Sequence, residues 1–221
     1  TTKQYMFSDV SPIKDFRMLK VFTRETPSSN TLFVDVLPDF SVDSYSSSMN
    51  LVTDDIYTKL LLHCNGSDGS ISFVDSSSSN HTITGSGNAQ MDSSYYKFGL
   101  SSALFDGTGD YLTSGDSSDY YYSTDNFTID FWVRFDALGD YSLYHQRVDS
   151  SNYISIYYLS NSIYFGVFTA GAWDFLCYTP TFGVVDTWYH VEITRYGVTE
   201  NDVYIFIDGI SQALTWPTYI S

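Results

Sequence analysis

The chain has 221 residues, with 26 Asp plus Glu against 10 Lys plus Arg and a formal net charge of -16 at pH 7. A surface this negative repels nucleic-acid phosphates and anionic membranes, no basic run offsets it, and no apolar stretch is long enough to span a bilayer, so nucleic-acid and membrane-spanning roles are excluded. Extensive helix is excluded as well: 18% of the residues are aromatic, with 20 Tyr and 16 Phe, and Glu occurs only at 25, 192 and 200, so the carboxylates are nearly all Asp, a turn residue.

Residues 1–57 differ from the rest. They hold Lys3, Lys14, Arg17, Lys20 and Arg24, two strand-like runs at 18–22 and 32–37, Pro12, Pro27 and Pro38, and a Ser-rich linker at 41–50. This segment is expected to be an arm or the end of an upstream domain, with a strand pair packed on the following domain as the alternative. The chain starts at Thr1 without Met and without a signal-peptide pattern, as a piece of something longer would.

From residue 58 onward strands follow one another. The run LLLHCNG (60–66) reads as an opening strand, and the turn-rich phrase ALFDGTGDYL covers 103–112. In NFTIDFWVRF (126–135), Phe127, Ile129, Phe131, Val133 and Phe135 alternate with Asn126, Thr128, Asp130, Trp132 and Arg134. That period of two puts one face on a core and fixes the register, since a slip of one residue would expose all five apolar side chains. Alternating runs at 153–159 and 163–168, joined by Ser160, Asn161 and Ser162, predict a hairpin. After WYHVEITRYG (188–197), the run Val203, Ile205 and Ile207 enters Asp208-Gly209, a pair suited to a tight turn with positive φ. Cys64 and Cys177 fall in apolar strand-like runs and read as buried free thiols rather than a disulfide. Asn65, Asn80 and Asn126 start N-x-Ser/Thr sequons, which matter only where the source glycosylates them.

In order and spacing, LLLHCNG, ALFDGTGDYL, NFTIDFWVRF and WYHVEITRYG with VYIFIDG resemble the laminin-G-like domains of the concanavalin A-like lectin/glucanase jelly rolls. The resemblance covers residues 58–221 and implies an all-β fold of two antiparallel sheets face to face, with 1–57 as a separate arm. Such domains usually close with a further strand or two; no phrase of that kind occurs before Ser221, so the jelly roll is expected to lack its last strands or to receive them from a partner. The style of these phrases is also similar to domains in structural proteins of tailed phages.

The glucanases of this superfamily carry two Glu on one strand as nucleophile and acid. Glu192 stands alone on its strand, so a non-enzymatic role is expected. His63, His81, His145 and His190 show no metal-ligand spacing. The resemblance implies calcium near a sheet rim, and Asp106 and Asp110, with Asp75 as a weaker candidate, supply closely spaced hard oxygens. Sugar binding needs aromatic platforms beside hydrogen-bonding groups. The candidates are Trp132 with Asp130 and Arg134 on the face opposite the core stripe, and Tyr141, Tyr144 and Trp173 in Tyr- and Trp-bearing loops, alongside the further pair Tyr95-Tyr96. The expectation is an extracellular adhesion or display module, on a virion or bacterial surface, that binds glycans or neighbouring protein subunits; a purely structural decoration or fibre subunit is the alternative.

Overall fold

A computed structural model describes residues 56–122, 125–197, 199 and 202–217, together with the backbone of two short strands, β1 (Leu19–Phe22) and β2 (Phe33–Val36). The chain divides into two units, Thr1–Thr53 and Asp54–Ser221. In the first, β1 and β2 pair antiparallel, Leu19 opposite Val36, where the two strand-like runs fall. The prolines and the Ser-rich linker of this segment lie outside the described residues.

The regular structure of the second unit is almost wholly strand. Its first part holds β3 (Ile83–Ser86), β4 (Gln90–Asp92), β5 (Ser102–Leu104) and β6 (Tyr111–Ser114), paired as β3 with β6 and β4 with β5 around a small core of Phe73, Ala89 and Met91. A short 3-10 turn (Ser118–Tyr120) leads to the sandwich proper. There β7 (Phe127–Arg134), β12 (Trp188–Arg195), β13 (Val203–Ile207) and β14 (Ile210–Ser211) form one sheet in the order β14-β13-β12-β7. The other sheet is a meander of β8 (Tyr141–Asp149), β9 (Asn152–Leu159), β10 (Ser162–Thr169) and β11 (Ala172–Tyr178), each strand beside its chain neighbour. Both sheets are antiparallel throughout, and the all-β sandwich expected from the sequence is what forms.

The alternation of β7 does what its pattern requires. Phe127, Ile129, Phe131 and Val133 pack on the core while Thr128, Asp130 and Trp132 face outward. Opposite them stand Ile156, Tyr158, Ile163, Phe165 and Cys177, each wholly excluded from solvent, with Val191, Ile193 and Ile205 closing the same core. Tyr158 brings a polar atom into this interior, and its hydroxyl donates to the Phe182 carbonyl at 2.8 Å, so the burial leaves no orphaned group there.

The tight turns follow their residues. Ser160 and Asn161 link β9 to β10 at φ of 49° and 63°, and Asp208 and Gly209 link β13 to β14 at 51° and 76°. Positive φ at both central positions gives a turn whose twist matches the flanking strands, and Asn, Asp and Gly tolerate it best.

Two expectations are corrected. Residues 60–66 do not form a regular strand; only Leu62 makes an isolated bridge, to Asp75. The reason is local: Cys64 sits at φ 48°, which breaks the pleat, and the Asp75 carboxylate captures the Leu61 N–H at 2.9 Å. His63 therefore lies in irregular chain, and Cys64 is a half-buried thiol beside the small core while Cys177 is fully buried; both are free. Burial holds both thiols above their usual range, Cys177 up to about 12, which favours the protonated form of each at neutral pH. The second correction concerns Tyr141 and Tyr144, which are strand residues of β8 facing the interior. Tyr141 stacks on Phe135 at 5.7 Å, and the Tyr144 hydroxyl shares a 2.8 Å hydrogen bond with that of Tyr122. Bulges at 142/144 and 147/149 shift the phase of β8, so its sequence does not alternate cleanly.

Candidate functional site

The predicted binding residues fall on different surfaces. Trp132, Asp130 and Arg134 share the outward face of β7, whereas Trp173, expected in a loop, is a strand residue of β11 on the outer face of the meander sheet, packed over Gly166. A binding surface can therefore contain the first three or the last, not all four.

On the outward face of β7, register sets the neighbours. Arg134 stands opposite Trp188, Trp132 opposite His190, and Asp130 opposite Glu192. Residues 94–98, between β4 and β5, reach the same face: Phe98 meets the Trp132 ring edge-on at 5.4 Å, Lys97 Nζ lies 4.3 Å from that ring's centroid, and the Arg134 guanidinium covers Tyr95 at 4.0 Å. Between this segment and the sheet opens a cleft of about 570 Å³ lined by Ser94, Tyr95, Tyr96, Arg134, Asp186 and Trp188.

Arg134 organises the cleft. Its side chain is only 10% exposed, and its two terminal nitrogens donate to Asp136 and Asp186, both well exposed. A guanidinium held by two carboxylates and stacked on a ring is fixed in orientation, which is what a guanidinium fork does better than an ammonium. Trp132 is less available than the sequence suggests, because His190 stacks on it at 5.1 Å in addition to Phe98 and Lys97. His190 in turn reaches Asp130 through Nε2 at 3.2 Å, and its backbone N–H donates to Asp208. Of the three rings that line the cleft, Tyr95 lies under Arg134, and Tyr96 and Trp188 have no aromatic or cationic partner among the described residues. Tyr96 is 48% exposed.

Asp186 and Trp188 are absent from the sequence-predicted set. Trp188 reads as the start of a strand and Asp186 as an ordinary turn residue at φ 61°, and only the β7–β12 pairing brings them beside Arg134.

The carboxylates expected to hold calcium serve the chain itself. Asp110 accepts the N–H groups of Asn88 and Asp106, one on each oxygen, and Asp106 Oδ1 accepts that of Thr108. Gly87 permits the approach: at φ +69°, a Cβ there would lie 2.2 Å from Asp110 Oδ1. Gly87→Ala is therefore expected to cost about 1–3 kcal/mol, through both the backbone strain and the displaced carboxylate, read as a lower thermal midpoint. Asp75 is elsewhere, buried, and accepts N–H groups from Leu61, Ser77 and His81 and the Ser77 hydroxyl. Among the described residues no three His, Cys, Asp or Glu side chains converge as a metal-binding group.

Residues 106–215 match a laminin-G family model described as the Concanavalin A-like lectin/glucanases superfamily. Among solved structures, an S-layer domain-containing protein from Clostridium thermocellum (residues 221–444 of that protein) is similar at 22% identity, with 72% of each chain covered and a TM-score of 0.43. No curated protein matches the chain.

Proposed function

We propose that this chain is a non-enzymatic adhesion or display module of an extracellular surface assembly, and that it binds glycans in the cleft between residues 94–96 and the outward face of β7 and β12. The observation that carries this reading is the lining of that cleft: two rings without partners, Tyr96 and Trp188, beside a fixed guanidinium, a carboxylate and the Ser94 hydroxyl. A pyranose offers an apolar face for the rings and hydroxyl edges for the polar groups. The match of residues 106–215 to the lectin/glucanase superfamily supports the same class of ligand. The phage-like style of the sequence phrases supports a virion as the assembly, where weak single sites repeated on a particle give high avidity.

Binding rather than cleavage is the better reading of the carboxylates. Asp130 and Glu192 are cross-strand partners, but they stand on an open sheet face, Asp130 is engaged by His190, and neither lines the cleft.

The test is a glycan array probed with the whole chain, repeated with Tyr96→Ala and Trp188→Ala. Each variant is expected to lose at least tenfold in apparent affinity while keeping its thermal midpoint within a few degrees; array binding that both variants retain would sink the cleft as the site. A parallel array with chelator checks calcium, for which Asp106 Oδ2, without a hydrogen bond among the described residues, is the proposed point of attachment. Binding unchanged by chelation removes calcium from the proposal.

A further inference from the structure

The outer face of the meander sheet has a different character from the cleft. Following the registers across β8, β9, β10 and β11 gives three rows: Arg147, Tyr153, Phe168 and Trp173; then His145, Ser155, Gly166 and Leu176; then Ser142, Tyr157, Tyr164 and Tyr178. Two aromatic-rich rows thus flank a row whose two central strands carry the small residues Ser155 and Gly166. The rings pack on one another across the strands, His145 on Tyr153 at 5.0 Å, Tyr153 on Phe168 at 4.8 Å, and Tyr164 on Tyr178 at 4.7 Å, all within 25° of parallel. Trp173 closes the first row edge-on against both Tyr153 and Phe168. Among the described residues, every ring contact of these side chains is to another member of the same face.

This geometry selects the occupant. Rings stacked on each other along the sheet turn their faces to their neighbours and their edges to solvent, so they offer no open ring face for a pyranose. What remains is a flat, rigid surface of ring edges and tyrosyl hydroxyls, which suits the packing of one sheet on another. Charge narrows the choice further. In a chain of net charge -16, the twelve positions of the three rows include one formal charge, Arg147. Burial and the neighbouring Arg147 hold the His145 imidazole below its usual pKa, which keeps it neutral at pH 7. Two copies of so acidic a chain repel each other wherever carboxylates meet; this face has none at the twelve positions of its three rows and one beside them, Asp174, which the β10–β11 irregularity leaves unpaired on the edge strand, so the repulsion is low here. The outward face of the other sheet, with Asp130 and Glu192, has no such clearance.

We infer that the meander sheet is a self-association surface, on which a second copy of this chain packs sheet to sheet about a twofold axis. The same patch then serves both copies, as an isologous interface requires. Four strands about 4.8 Å apart and some seven residues long at about 3.3 Å per residue give roughly 450 Å² per copy. That is below the roughly 800 Å² per partner of a standard stable interface, so the pairing is weak in dilute solution and takes effect at the local concentrations of an assembly.

The experiment is sedimentation velocity on the whole chain from micromolar to millimolar concentration, at low and high salt, with Tyr164→Lys alongside. The wild type is expected to shift from monomer to dimer as concentration rises, and to do so at lower concentration in high salt, because salt screens the repulsion between copies. Tyr164→Lys, at a half-exposed position where a long side chain fits, is expected to move that transition at least tenfold upward with an unchanged circular dichroism spectrum. Tyr157→Lys, beside it in the same row, serves as the second variant. A wild type that stays monomeric at millimolar concentration overturns the inference. So does a dimer that both lysine variants leave intact, or a surface that a foreign protein or a glycan protects while the chain remains monomeric. Self-association and glycan binding fail separately, because Tyr96 and Trp188 lie on the other sheet's side.

Discussion

Phe165→Ala is expected to lower the stability of the jelly-roll unit by about 3–5 kcal/mol. Phe165 is fully excluded from solvent at the centre of β10, meeting Phe127 from the opposite sheet at 6.1 Å and Phe175 from its own at 5.5 Å. Truncation removes the ring's transfer energy and leaves a void that the sheets do not readily collapse into, because β10 is hydrogen-bonded between β9 and β11 and β7 along its whole length to β12. For a unit of this size each kcal/mol shifts the thermal midpoint by about 2–4 °C, so a fall of roughly 6–20 °C is expected in a calorimetric scan. A fall under 3 °C would mean that the sheets do not share this core. Phe165→Leu, which keeps most of the volume, is expected to recover more than half the loss.

The second large effect is expected at Asp75. Its buried carboxylate is the acceptor for three backbone N–H groups and one hydroxyl, and it holds the irregular 60–66 segment against the 75–81 turn. Asp75→Ala strands those donors away from water and is expected to cost about 2–4 kcal/mol, well above the loss from an exposed Asp on the same unit. Desolvation by itself raises the pKa of Asp75, but the N–H groups of Leu61, Ser77 and His81 and the Ser77 hydroxyl outweigh it and leave the group below its usual range. A depressed folded-state pKa means stability that is fully present above the unfolded value, near pH 4, and is lost as pH falls through the folded value. Acid unfolding followed by fluorescence is the check. Asp75→Asn should flatten the stability slope below about pH 4, and a slope unchanged by that substitution would show that the carboxylate is not held as described.

The parts of this structure that were legible in the sequence are those where period and turn chemistry act alone. β7 alternates without interruption, and the β9–β10 and β13–β14 turns carry Asn, Asp and Gly where positive φ is needed. β8 was not legible, because a bulge between Ser142 and Tyr144 shifts the phase of Tyr144 against Tyr141, a second follows at 147/149, and a strand with a shifting period resembles a polar loop. The 60–66 run misled for the opposite reason. Its apolar residues suit a strand, but the side chain of Asp75 takes the Leu61 N–H and Cys64 adopts a positive φ. Of the cleft, Arg134 and its aromatic company were foreseeable from the outward positions of one strand, and the Tyr95-Tyr96 pair stood out as a surface feature. Asp186 and Trp188 were not, since their role exists only once β12 lies beside β7.

That pairing also bears on how the sandwich is reached from the unfolded chain. The meander closes by nearest neighbours, each hairpin costing the entropy of a short loop. The β7–β12 ladder must instead join two strands with the entire meander between them, and it yields no contact until that long loop is closed. The expected order is the meander first and the closure of β7 on β12 as the slow step. The cleft beside Arg134, which straddles those two strands, would then be the last surface the molecule acquires and the first it loses.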